Sequence, residues 1–178
     1  MPAKPATDRR QDRRNLSIAE AIAEAWLRLV AGAQETTICS LSSKSNALAL
    51  PRLSGIRDNE DGKATIFGLV PGEHIRSMLA RKSGFSVAER YLNELARGLA
   101  LNGTPRIVIW DLDEPLPEDR LRMLIQRTEL DLEIVGPDRR DEVLTALSEH
   151  ITDGLETREN PLLEAWRLLK AWKETREN

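Results

Sequence analysis

Sulfur and imidazole are scarce in this chain, which has one cysteine, Cys39, and two histidines, His74 and His150, in 178 residues. A lone thiol cannot close an internal disulfide, which fits a reducing compartment, the cytoplasm, better than a secreted scaffold. Cys39 lies in the apolar stretch TTICSL and reads as a buried structural thiol rather than a nucleophile. With the histidines far from it, none of the familiar zinc-ligand spacings is present. Long apolar runs are missing too. No segment approaches the roughly 18 apolar residues that span a bilayer. The N-terminus carries Arg and Asp where a signal peptide has its apolar stretch, so neither a membrane nor export is expected.

What is present describes a folding chain. The apolar fraction is 40% and the charged fraction 31%, too hydrophobic for a disordered polymer and too charged for a membrane protein. The length suits one domain that needs no disulfide or metal staple. Formal net charge is −3, unevenly spread. Lys4, Arg9, Arg10, Arg13 and Arg14 against Asp8 and Asp12 make the first fifteen residues +3 and the remainder −6. Basic arms of this kind neutralise phosphates. The expected organisation is a disordered basic arm over 1–15 and a single α/β domain over 16–178 that ends in a helix.

Periodicity supplies the elements. Ser17 and Glu20 form a capping box, and apolar residues from Ile18 to Val30 recur at helical spacing until Gly32. TTICSL (36–41) and ATIFGLV (64–70) read as strands. The stretch between them, 42–63, is long for an unstructured loop, so it is either functional or hides a further element. After Pro71-Gly72 a short helix carries Ile75, Met78 and Leu79, and a longer one, with Ser86 and Glu89 as capping box, runs to Asn102-Gly103. A strand (106–110), a helix (117–127), a strand (132–135) and a helix (138–151) follow, and this alternation argues for parallel pairing. The expected sheet is small and mixed, with about four strands flanked by helices. A last helix begins with Asn160 as cap and Pro161 in its first turn.

Three constellations carry possible chemistry. In IVIWDLDEP an apolar strand ends in Asp111 and Asp113, two carboxylates on one face of an extended segment. Paired acids at the carboxyl end of a parallel strand can hold a divalent cation, magnesium in this case. The segment resembles the first motif of the haloacid dehalogenase-like phosphatases, a likeness that implies a nucleophilic Asp111 and a general acid at Asp113. Pro115 stands where that family has Thr or Val, and only 65 residues follow Asp113.

The segment LARKSGFSVAERYLNELA (79–96) looks like a helix-turn-helix, with Ser86, Glu89, Arg90 and Asn93 facing a DNA groove and RIVIW as a wing. LNELARGLALNGTPRIVIW and LEIVGPDRRDEVLTAL together resemble the ParB/sulfiredoxin superfamily over roughly residues 92–147. That resemblance implies a strand, a glycine turn and paired arginines at a helix start. Gly136, Arg139 and Arg140 would then form an anion site on free backbone N–H groups. Pro137 and Asp138 lengthen the turn relative to that pattern, and Asp138 and Asp141 would repel a phosphate from the first turn.

In the last helix Trp166 and Trp172 stand among Arg167, Lys170 and Lys173, while Leu162, Trp166 and Leu169 form a stripe suited to a core or a homo-oligomer seam. Three function classes follow. The first is a DNA- or nucleotide-associated protein, of plasmid or phage-like origin, that binds phosphate through Arg9, Arg10, Arg13, Arg14 and the Gly-Arg-Arg helix start. The second is a metal-dependent phosphatase or nuclease using Asp111 and Asp113. The third is a protein-binding adaptor without chemistry.

Overall fold

Continuous burial on both faces of β3 (Ala64–Pro71) and of the second half of β4 (Thr104–Trp110) explains the whole architecture. Phe67, Leu69, Val108 and Trp110 face one side of these strands, while Ile66, Val70, Ile107 and Ile109 face the other. Strands that are apolar on both faces need a layer above and a layer below. The computed structural model, which describes residues 18–38 and 51–154, supplies both.

The first layer is α1 (Ile18–Leu29) with α5 (Arg140–Gly154). Ile22, Trp26 and Leu27 of α1 and Val143 and Leu147 of α5 close over Phe67, Val108 and Trp110. The Trp26 and Trp110 rings meet at 5.5 Å between centroids, tilted by 55°. The second layer holds α2 (Gly72–Leu79), α3 (Gly84–Ala100) and α4 (Glu118–Thr128). Here Ile75, Leu92, Leu95, Leu121 and Leu124 pack on Ile107 and Ile109. The result is a single mixed α/β domain in three layers.

The sheet has five strands where four were expected, in the order β1 (Glu35–Ile38), β2 (Leu53–Asp58), β3, β4, β5 (Leu132–Val135). β2 runs antiparallel to both of its neighbours, and β3, β4 and β5 are parallel. The added strand is β2, which was hidden in the 42–63 stretch. Only Leu53 and Gly55 of LSGIRD are buried, so its polar residues masked the pattern. Parallel pairing of the second half is as the alternation required. β4 lies between β3 and β5 inside the sheet, which excludes RIVIW as the wing of a helix-turn-helix.

Two helix starts also differ. α3 opens at Gly84, so Ser86 lies inside its first turn rather than at the cap. The last described helix is preceded by a short 3-10 turn, Pro137–Arg139, which delays it to Arg140. The basic arm with Arg9, Arg10, Arg13 and Arg14, the cap Ser17, Cys39 and the helix expected from Asn160 all lie outside the described residues. Among the described residues no helix is long and apolar enough to cross a membrane.

Candidate functional site

Strands β3 and β4 end at the same edge of the sheet, and the sequence-predicted acids lie just beyond β4. Asp111 does not continue the strand but folds into a turn. Its Oδ1 accepts the backbone N–H groups of Asp113 and Glu114, both at 2.9 Å. Its Oδ2 pairs with Arg76 of α2 at 2.6 Å. Burial pushes this carboxyl upward, but the two backbone N–H groups and the Arg76 guanidinium outweigh burial and hold it below the ordinary carboxylate value. Asp113 turns the other way, toward Arg140 at 3.5 Å.

The two carboxylates therefore do not share a face, as an extended strand would have required. Both oxygens of Asp111 already have partners, which leaves it poorly placed as a nucleophile. Among the described residues no group of three or more His, Cys, Asp or Glu side chains is arranged to hold a metal ion. Asp111 faces Arg76 and Asp113 faces Arg140, so the two carboxylates do not converge on one point where they would hold magnesium together.

Gly136 and the two arginines occupy the expected strand, turn and helix start, but the arginines diverge. Arg139 reaches Glu133 of β5 at 3.0 Å and Glu142 of α5 at 3.0 Å, and donates to the Ile134 carbonyl at 3.3 Å. Hydrogen bonding to Glu142 is the main influence raising its pKa, against some loss from burial, and Glu133 adds to it. Arg140 donates through Nε to the Leu112 carbonyl at 2.9 Å and bridges to the Asp113 turn. Both side chains tie the α5 start to the sheet edge. Asp138 closes over the turn, with Oδ1 2.9 Å from where a β-carbon on Gly136 would stand. The three residues are neighbours in the chain without forming one anion cradle.

The residues expected to face a DNA groove do come together. Ser86, Glu89, Arg90, Asn93, Glu94 and Arg97 line a shallow depression of about 370 Å³ along the outer face of α3. The helix is set by the buried stripe Ala88, Leu92, Leu95 and Leu99, which leaves Arg90 and Arg97 exposed two turns apart. Asn93 donates its amide to the Glu89 carbonyl at 2.9 Å. Arg127 of α4 pairs with the Glu89 side chain at 3.7 Å and lies over the Phe85 ring.

A concavity at the sheet edge went unnoticed in the sequence. A cleft of about 530 Å³ opens at the carboxyl ends of β3 and β4, between α1 and α2. Ile22, Leu69 and Trp110 give it an apolar floor. On one wall Arg52 pairs with Glu20 at 2.5 Å; on the other Arg76 pairs with Asp111 and, at 3.2 Å, with Glu114. Arg52 and Glu20 are 32 residues apart, so no local spacing could have announced their pairing. The Trp110 indole Nε1 is buried without a hydrogen-bond partner among the described residues.

Compared with family models, curated proteins and solved structures, the chain matches none. The chemistry of its own residues has to carry the functional reading.

Proposed function

We propose that the protein associates with nucleic acid, using the outer face of α3 together with the basic arm. One observation carries this reading. Arg28, Arg52, Arg76, Arg106, Arg139 and Arg140 each pair with a carboxylate of the domain, whereas Arg90 and Arg97, like Arg57, Arg81, Arg120 and Arg122, make no ion pair with any described residue, and these two share one depression on one helix. Two guanidiniums two turns apart, with Ser86 and Asn93 between and beside them, form a polar stripe suited to phosphate oxygens. Glu89 is already engaged by Arg127, leaving Glu94 as the opposing charge in the depression.

The arm contributes in a different way. Its charge of +3 is joined to a remainder of −6, a separation that favours polyanion contact at the arm and repels it elsewhere. In this reading Gly136, Arg139 and Arg140 support the fold and the arm carries the phosphate contacts once assigned to them. The same reading keeps a cytoplasmic, plasmid- or phage-like setting and homo-oligomerisation through the sequence 160–172.

Fluorescence anisotropy of labelled single- and double-stranded DNA, titrated with the full chain at several salt concentrations, tests the reading. Affinity should fall steeply with salt, and the slope for duplex should shrink by roughly 2 in an Arg90→Ala, Arg97→Ala variant, one unit per lost phosphate contact. Deleting residues 1–15 should shrink it further. Absence of binding to either form at low salt would sink the proposal.

A further inference from the structure

The cleft at the strand ends has the make-up of a second, small-molecule site, independent of the α3 face. Apolar floors with a few convergent polar groups are how such sites are usually built, and crevices beyond the carboxyl ends of parallel strands are where they usually lie. Five carboxylates line this cleft against Arg52 and Arg76, so in the free protein both guanidiniums are neutralised from within.

These internal partners are not held equally. Asp111 is fixed by its turn, and Glu20 lies 2.5 Å from Arg52. Glu114 is different, since its side chain is 70% exposed and stands 3.2 Å from Arg76. A solvated carboxylate of this kind gains little from its pair and is easily exchanged. Next to Arg76, α2 begins at Gly72 behind Pro71, with no side chain capping its first N–H groups. On the floor, Trp110 is 6% exposed, and its Nε1–H has no acceptor among the described residues.

We propose that this cleft binds a compact anion with a flat apolar body, whose carboxylate or phosphate head replaces Glu114 on Arg76 and whose body lies on Leu69 and Trp110. Benzoate and phenyl phosphate are suitable probes, with the same ring and different heads. With the full chain and ¹⁵N-labelled indoles, the Trp110 resonance, assigned through Trp110→Phe, should shift on saturation with a probe.

Arg76→Ala should weaken binding about tenfold or more, the loss of a charge-assisted contact. Glu114→Gln should strengthen it severalfold, because the resident competitor loses its charge. Glu114 is exposed, so this variant remains readable even if Arg76→Ala fails to fold. Tighter binding of phenyl phosphate supports the site and identifies a phosphate head; tighter binding of benzoate supports it and identifies a carboxylate. Weaker or unchanged binding in Glu114→Gln overturns the proposal. Indole resonances that stay still with both probes overturn it as well.

Discussion

The carbonyl oxygen of Met78 stands 1.7 Å from where a β-carbon on Gly84 would be built. That carbonyl accepts the Arg81 N–H at 3.2 Å, and Gly84 N–H in turn reaches the Arg81 carbonyl at 2.9 Å, so neither side of the α2–α3 turn can retreat. Gly84→Ala should therefore cost about 3 kcal/mol, at the upper end for overpacking. Gly98, inside the same helix, is exposed, and among the described residues nothing beyond its own helix backbone and chain neighbours lies within 4 Å of such a β-carbon. Gly98→Ala should stabilise the protein by about 0.5–1 kcal/mol through helix propensity alone. Urea denaturation of the two variants would show opposite signs; a common sign would mean that the α2–α3 turn is packed differently.

Gly98 also illustrates what the sequence made legible. The helix around it was readable because Ala88, Leu92, Leu95 and Leu99 recur at helical spacing, and β5 was readable because LEIV is a short apolar run between turn signals. β2 escaped because it is a half-covered strand whose Arg57 and Asp58 break the alternation. The Asp111 and Asp113 pair was misread for a related reason. Their spacing placed both on one face only while the chain stayed extended, and the strand stops at Trp110. The cleft was invisible because its lining comes from α1, Arg52 just before β2, the ends of β3 and β4, α2 and the loop after β4, which meet only through the sheet topology. The α3 depression could be found because all of its residues lie on one helix.

Arg139 and Arg140 separate a structural role from a phosphate-binding one. Their donors are used by Glu133, Glu142, the Ile134 and Leu112 carbonyls and Asp113. The double variant Arg139→Ala, Arg140→Ala should lose about 1–2 kcal/mol of stability, the sum of several partly exposed ion pairs and hydrogen bonds. DNA affinity and its salt slope should stay as in the wild type. A variant that folds normally but binds DNA several-fold more weakly would return the anion site to the α5 start.

Tyr91 is the one tyrosine of the chain, so its ionisation can be followed without interference. It packs edge-on against His74 at 5.1 Å, and burial pushes its hydroxyl up to about 12. An acid that holds its proton more tightly when folded adds stability below its unfolded value, about 10. That stability is lost as pH rises from there through the folded value. Absorbance titration near the phenolate band should give a midpoint about two units above free tyrosine. A midpoint at the free value would mean that α3 does not bury this face.

Asp111 gives the complementary acid-side test, and its direction is opposite. Its carboxyl is held below the ordinary value, since the N–H groups of Glu114 and Asp113 and the Arg76 guanidinium outweigh the upward push of burial. A folded pKa below the unfolded one stabilises the protein above about pH 4, and that contribution is lost as pH falls through the folded value. Asp111→Asn should cost about 1–3 kcal/mol near neutral pH, where a charge-assisted pair and its turn are lost. The cost should shrink steadily in acid, as the wild-type carboxyl also loses its charge. Stability curves measured from neutral to acidic pH for both proteins would test this. If the Asn variant matched the wild type near neutrality, the Arg76 pair and the turn would not be holding the structure. Asp111 would then regain its standing as a group kept for chemistry rather than for the fold.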